Sequence, residues 1–132
     1  MIAINHVRDI VDVGGKTLAA VVAHKRGDPR ELALWDAAVA AEDRLAYAEP
    51  ADWFYPVRHY QGAALLELER WSDAEAVYRA DLARHPHNGW ALWGLAHALR
   101  NQHRDREAAA VEREFRQAWT NADIGLTTTA LW

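Results

Sequence analysis

Cysteine is absent from this sequence of 132 residues. No disulfide can therefore form, and no thiolate is available as a nucleophile or a zinc ligand. No apolar run approaches the roughly 20 residues that a membrane-spanning helix needs. The N-terminal stretch carries charges at Arg8, Asp9 and Asp12 and has neither the basic start nor the apolar centre of a signal peptide. These absences predict a cytoplasmic protein that makes no use of a membrane.

A concentration of positive charge is also lacking. The formal net charge is −4, and acidic and basic residues alternate along the chain. A protein that binds a phosphate backbone needs a basic stripe, so nucleic acid is not expected as a partner. A glycine-rich phosphate loop is not expected either, and no G-x-S-x-G motif occurs. We therefore assign no catalytic residue, no metal ligand and no cofactor.

Helical periodicity is the strongest pattern present. Leu92, Leu95 and Leu99 recur at helical spacing, and alanine, the best helix former, is abundant. No useful length of sequence alternates with the period of two that marks a half-buried strand. The sequence therefore predicts an all-α protein.

Three places combine a helix end with a helix start. Gly27 is expected to end one helix, and Asp28 to cap the next. Ser72 and Glu75 have the spacing of a capping box, and Asp105 is expected to cap a further helix. A helix, a short turn and a second helix thus follow one another repeatedly, which predicts helical hairpins in series.

The hairpins repeat in sequence. A shift of the chain by about 34 residues places Gly62 on Ala96 and Leu65 on Leu99. A helix–turn–helix unit of this period is the signature of the tetratricopeptide repeat, or TPR. The chain therefore resembles the TPR family, and the segment that begins "YPVRHYQGAALLE" is similar to the C-terminal region of larger bacterial TPR proteins.

The resemblance implies one domain spanning residues 1–132, in which antiparallel helical hairpins stack as a short right-handed solenoid. Its expected parts are a weak unit at about 13–45, a link at 46–54, units at 55–88 and 89–120, and a C-terminal tail or cap at 121–132. In the unit 55–88, small Gly62 lets the two helices approach closely, and Tyr78 fills the space between them. In the unit 89–120, Glu112 stands where a large apolar residue is expected, and Phe115 lies nearby instead.

The stretch "ARHPHNGW" is interpreted as the turn between the last two units. The residue before a proline is pushed out of the helical region, so the helix is expected to end near His85. Asn88 and Gly89 tolerate positive φ, which suits a chain reversal. His85 and His87 are therefore interpreted as exposed turn residues.

In TPR proteins the first helix of each hairpin lines a concave groove. The resemblance implies that the groove residues are His59, Leu66, Glu67, Trp90, Trp93, His97, Arg100 and Asn101, with His24 and Lys25 as further candidates from the first unit. Aromatic and arginine side chains of this kind dominate peptide interfaces. We therefore predict a non-enzymatic scaffold that binds a partner protein or peptide. The sequence leaves open whether Trp90 and Trp93 line the groove or fill the core.

Two alternatives remain open at this point. His59 and His97, with Glu67, are the candidates for a small metal-binding or catalytic module. Alternatively, the chain is a homo-oligomerisation piece of a larger assembly that forms a homodimer through an uncapped end of the array, because an open solenoid end exposes apolar surface.

Overall fold

The computed structural model describes residues 7–45, 56–119 and 128–130. These residues contain six α-helices and no β-strand, which confirms the all-α class. The helices are α1 (Val7–Arg26), α2 (Glu31–Asp43), α3 (Val57–Glu67), α4 (Trp71–Arg84), α5 (Gly89–Asn101) and α6 (Asp105–Ala118). The predicted link 46–54 and most of the predicted tail lie outside the described residues. The chain divides into two compact units, Met1–Val57 and Arg58–Trp132.

The first unit is a hairpin in which α1 packs against α2. Its core contains Val13 and Ala20 from α1 and Trp35 from α2, all fully buried. A polar contact also joins the two helices, because His24 Nδ1 lies 2.8 Å from Glu31 Oε2 and both side chains are buried. His24 is therefore part of the hairpin interior and is not presented to a groove.

The second unit continues the pattern with two more hairpins. α3 contacts α4 through side chains that include Tyr78 and His59. α4 then packs against α5, and α5 against α6. Each helix of this unit thus contacts its neighbour along the chain, which is the packing expected of successive helical hairpins.

All three hairpins turn in the same way. Each first helix is followed by a residue with positive φ, and these residues are Gly27, Glu69 and His103. The next residue's N–H reaches back to a carbonyl five positions earlier; these bonds are Asp28 to Ala23, Arg70 to Leu65 and Arg104 to Leu99. This is the Schellman arrangement of a helix end. The last two turns are one repeat length apart, and the first precedes the second by a longer interval, as the units do in the sequence.

The predicted side-chain caps at these turns are wrong. Ser72 lies inside α4, which begins at Trp71, and Asp105 is the first residue of α6. The N-cap residues are Arg70 and Arg104, and neither side chain bonds to a helix N–H. The physical reason is that the last residue of each Schellman turn is already the N-cap, so no room remains for a serine or aspartate cap.

Acidic residues in the first turns of α4 and α6 form ion pairs with the arginine N-cap residues instead. Arg70 pairs with Asp73, and Arg104 pairs with Glu107, each three residues into the helix. Asp28 lies two residues before Arg30, the residue that directly precedes α2, but it makes the side-chain bond to a backbone N–H that is expected of a cap. Its carboxylate accepts the backbone N–H of Arg30 at 2.9 Å and the Arg30 guanidinium, and these bonds lower the pKa of Asp28 to about 2.

The turn between α4 and α5 follows the prediction in part. α4 ends at Arg84 with His85 as its C-cap, as the following proline predicts. The positive φ, however, belongs to His87 and not to the Asn-Gly pair. Asn88 is extended, and its side chain accepts the Ala91 N–H at 3.1 Å, so it is the N-cap of α5.

The second unit is organised around Tyr78, which is fully buried. A methyl group at Gly62 would lie 2.4 Å from the ring, and one at Gly94 would lie 2.2 Å from it. The ring therefore occupies a slot between α3 and α5 that exists only because both helices carry glycine there. The role predicted for Gly62 is confirmed, and Gly94 is its counterpart on the next hairpin.

The hydroxyl end of Tyr78 meets the C-terminal segment. Tyr78 Oη lies 2.7 Å from Thr129 Oγ1, and Thr129 Oγ1 donates to the His59 carbonyl at 2.6 Å. A threonine hydroxyl has one proton, so it donates to the carbonyl and accepts from the tyrosine. Thr129 is fully buried. This chain of bonds fastens residue 129 to α3 and α4.

We expect Gly94→Ala to destabilise the protein by about 1–3 kcal/mol, the usual cost of overpacking a core, because the buried Tyr78 ring cannot leave its slot. The matched control is Ser72→Thr, which adds a methyl group at an exposed position of α4 and should change stability by less than about 0.5 kcal/mol. Urea denaturation measures both changes. Equal stability of Gly94→Ala and the wild type would contradict the slot.

We expect Thr129→Val to cost about 1–3 kcal/mol, because it removes two buried hydrogen bonds while keeping the side-chain shape. Thr129→Ser retains the hydroxyl and should lose much less. Thermal unfolding of the two variants beside the wild type tests the role of this residue. If the valine and serine variants melt together, the hydroxyl is not what fastens the segment.

Candidate functional site

The second unit contains a groove between α5 and α6 with a volume of about 400 Å³. The residues that line it are Trp93, Ala96, His97, Arg100, Asn101, Glu112, Phe115 and Arg116. The first five belong to α5 and the last three to α6. Four predicted groove residues, Trp93, His97, Arg100 and Asn101, are thus brought together in one site. Its size falls within the range of ordinary ligand pockets.

Aromatic rings form one side of the groove. The His97 imidazole lies between the indoles of Trp93 and Trp71, with ring centroids 5.3 Å and 6.0 Å away. Removal of water by this packing lowers the pKa of His97 below its usual value of 6.5. This shift favours the neutral imidazole, and because His97 is an exposed residue the groove presents it as a flat, weakly polar ring.

Charged and amide groups form the other side. The Arg100 guanidinium contacts Glu112 at 2.7 Å and Asp105 at 3.5 Å. The Asn101 side-chain amide donates to the His97 carbonyl at 2.9 Å. These contacts hold Arg100 and Asn101 in place, and the planar guanidinium has five N–H donors, more than the two carboxylate contacts use. The groove therefore offers an apolar aromatic wall next to polar groups of both charge signs.

Trp90 and Trp93 are both half-buried but have different neighbours. Trp93 is half-buried and lines the groove. Trp90 instead meets Trp119 edge to face at 5.4 Å. Trp119 in turn stacks on Phe115 at 5.7 Å, so Trp90 supports the groove wall from behind without lining it.

Three further predicted residues lie away from this groove. His59 is 2% exposed, and its Nε2 lies 2.9 Å from Asp81 Oδ2, so it forms a buried pair across α3 and α4. Leu66 is also buried. Glu67 is exposed at the end of α3 but is not among the groove residues. The groove therefore brings together predicted positions of the last hairpin, whereas Glu67 and, in the first unit, Lys25 are exposed but are not among its lining residues.

The metal-binding alternative gains no support from this geometry. Within the described ranges 7–45, 56–119 and 128–130, no three histidine or acidic side chains converge as metal ligands would. His59 directs Nε2 at Asp81, a partner on the neighbouring helix, rather than at Glu67 or His97. The candidate set of His59, His97 and Glu67 therefore does not form a common site.

Sequence reasoning did not identify Phe115 as a groove residue, although the repeat contains a signal for it. Trp93 lies one repeat length after His59, and Phe115 lies one repeat length after Asp81. The buried histidine–aspartate pair of one hairpin is thus replaced by a tryptophan and a phenylalanine in the next. Because no further helix packs on them among the described residues, these two rings stay at the surface of the groove.

A phosphate-loop ending was also overlooked. Gly15, Lys16 and Thr17 carry the Gly-Lys-Thr sequence that ends such loops, but Ile10 stands where the first glycine would be. The structure places all of them inside α1. The Thr17 hydroxyl donates to the Val13 carbonyl at 2.7 Å, and Lys16 pairs with Asp12, so these groups take part in the helix itself.

A carboxylate of the preceding hairpin fixes the turn that leads into α6. Glu75 accepts hydrogen bonds from Gln102 at 3.1 Å and Arg104 at 2.6 Å, and also from Arg79 on its own helix. Burial alone would raise the pKa of Glu75, but the bonds from Arg79, Gln102 and Arg104 outweigh it and lower the pKa below 4.5. α4 is thereby tied to the hairpin that carries the groove.

Comparison with protein families, curated proteins and solved structures finds no match to this chain. Its resemblance to TPR proteins therefore rests on the repeat and on residues quoted from the sequence. Among the described helices, none combines the length and apolarity needed to cross a lipid bilayer.

We expect Glu75→Gln to reduce stability by about 1–2 kcal/mol at pH 7, because the bonds to charged donors weaken. A lowered pKa in the folded state means that the ionised group stabilises the fold above pH 4.5 and loses this effect as the pH falls through its folded-state pKa. The difference between wild type and variant should therefore shrink below pH 4.5.

Urea denaturation at pH 7 and at several values below pH 4.5 measures this change. The control is Glu114→Gln, the same chemical change on an exposed position of α6. A difference at Glu75 that stays constant down to the lowest pH would show that its charge is not the stabilising feature.

Proposed function

We propose that this chain is a TPR-like binding module without catalytic activity, which holds a short peptide segment of a partner protein between α5 and α6. The observation that carries the proposal is the groove itself, where Trp93 and His97 from α5 face Phe115 from α6. A bacterial setting is part of the same proposal, because it rests on the same resemblance, and the absence of cysteine from the sequence favours the cytoplasm.

The groove chemistry indicates the kind of peptide. The rings of Trp93 and Phe115 suit one large apolar or aromatic side chain. Arg100, Asn101 and Arg116 offer N–H donors beside it, and Glu112 offers an acceptor. We therefore expect a segment in which a large apolar residue is followed or preceded by polar residues. Tryptophan and arginine at the centre of such a site carry much of the binding free energy.

Support for a binding role rather than a catalytic one comes from the partners of the ionisable groups. Glu112 is paired with Arg100, and the pKa of His97 is lowered by loss of water rather than by a neighbouring acid or base. General acid–base catalysis needs a titratable group next to a reacting atom, with its pKa tuned towards the working pH. The groove instead arranges rings and fixed hydrogen-bond donors.

The test is selection of a random peptide library displayed on phage against the wild-type protein, followed by calorimetry of the synthetic peptides. We expect Trp93→Ala/Arg100→Ala to weaken binding by at least about tenfold, since each residue type contributes roughly 1–2 kcal/mol or more at such sites. The matched control is Leu68→Ala/Arg106→Ala, which removes an exposed leucine and an exposed arginine outside the groove.

Circular dichroism confirms that both double variants are folded. Peptides that bind the groove variant as tightly as the wild type would overturn the site assignment. Failure to select any peptide above background would overturn the peptide-binding function.

A further inference from the structure

The first helix has an exposed apolar surface that the groove does not use. Val7, Val11, Leu18 and Val22 of α1 are exposed by 76%, 65%, 63% and 38%. At 3.6 residues per turn they fall within a sector of about 60° around the helix. Val13, Thr17 and Ala20, which are buried in the first unit, lie on the opposite side. We refer to the four exposed residues as the α1 stripe.

The repeat shows what this face does elsewhere in the chain. Gly27 and His103 close equivalent turns, and Leu18 precedes Gly27 by the same interval as Gly94 precedes His103. Gly94 is the residue of α5 that packs against Tyr78 of α4. The α1 stripe therefore occupies the helix face that receives another helix in the second unit. In the first unit, the same face is exposed.

The spacing of the stripe is symmetric along the helix. Val7 and Val22 are equally distant from the midpoint between Gly14 and Gly15, and so are Val11 and Leu18. A face with this symmetry is complementary to itself when two copies run antiparallel. In a two-fold contact, when one residue of the first copy contacts a second residue of the other copy, the reverse contact between the same two positions must also form.

Helix direction favours the same arrangement. Asp9, Asp12 and Lys16 project from the side of α1 away from the stripe, where Lys16 pairs with Asp12, so they do not meet a helix placed on the stripe. Antiparallel pairing opposes the two helix dipoles. Parallel pairing would align the dipoles and set the Lys25 side chains of the two copies, which share the sector of the stripe, beside each other.

We propose that two copies of this chain associate through α1, antiparallel and about a two-fold axis that passes between Gly14 and Gly15. Val11 then contacts Leu18 of the partner subunit, and Val7 contacts Val22 of the partner subunit. Gly14 and Gly15 carry no side chain beside the stripe, and the space around Gly15 is open in the single chain, so a second helix can approach there. Lys25 shares the sector of the stripe but lies beyond Val22, outside the Val7–Val22 contact.

The size of the surface sets the expected strength. From Val7 to Val22 the stripe is about 22 Å long. One helix pair of this length buries less than the roughly 1,600 Å² of a standard stable interface. We therefore expect a dimer whose population rises with protein concentration over the micromolar range. This association is independent of peptide binding, because the groove lies in the other unit.

Disulfide crosslinking tests the geometry directly, because the natural chain has no cysteine. Val11→Cys and Leu18→Cys are prepared as separate proteins and oxidised alone and as a mixture. In the proposed dimer the two positions face each other, whereas two copies of position 11 lie about 10 Å apart along the helix axis, too far for a disulfide. We expect a crosslinked dimer in the mixture and little in either protein alone.

Each other crosslinking outcome overturns the proposal. Crosslinking of Val11→Cys alone and of Leu18→Cys alone would indicate parallel helices. No crosslinking in the mixture, at concentrations where the wild type is dimeric, would place the dimer contact elsewhere on the chain.

Sedimentation velocity over a range of concentrations provides the second test. The wild type should shift from monomer towards dimer, and Leu18→Glu should remain monomeric. The matched control is Leu68→Glu, which places the same charge at an exposed leucine of the second unit and should leave the dimer intact. Circular dichroism shows whether each variant is folded. A wild type that stays monomeric throughout would overturn the proposal.

Discussion

The second unit depends on the insertion of one aromatic ring between two helices that lack side chains at the point of contact. Tyr78 of α4 fits because Gly62 on α3 and Gly94 on α5 leave the space that a methyl group would occupy. Apolar packing of this kind fixes the distance between helices, because a buried ring has no alternative volume to fill. Its hydroxyl also determines where Thr129 is held. One side chain thus joins three helices and the C-terminal segment.

In the next hairpin this insertion is not repeated, because among the described residues no further helix follows α6 to complete such a slot. The residue one repeat length after Tyr78 is Glu112. A carboxylate cannot be buried between apolar helices without a large desolvation cost, so it stays at the surface and pairs with Arg100. Phe115, one turn further on, faces the same space. The departure from the repeat pattern at Glu112 therefore adds an ion pair to this open surface.

Local patterns predicted the fold well, and the site less well. Apolar spacing identified an all-α chain, and Gly27 and Gly62 have the roles expected of them. The burial of His59 could not be predicted, because its partner Asp81 is 22 residues away and Thr129, which bonds its carbonyl, is 70 residues away. The Ser72 cap failed for a different reason. Glu69 adopts a positive φ, which its residue type seldom does, so the turn is complete at Arg70, two residues before the predicted cap Ser72.

Within each unit, a helix face that packs on a neighbouring helix and a helix face that stays exposed are under different constraints. A packed face must match its neighbour atom by atom, as Gly94 matches Tyr78. An exposed face has no such partner within its own unit, so its chemistry is free to serve another purpose. In the second unit the groove at α6 combines rings with ion pairs, whereas in the first unit the stripe on α1 is aliphatic. A groove that combines rings with polar groups recognises a particular peptide sequence, because a wrong peptide leaves polar groups of the groove without hydrogen-bond partners. An aliphatic stripe such as the one on α1 buries most apolar area against another aliphatic surface, and a second copy of the same helix provides one.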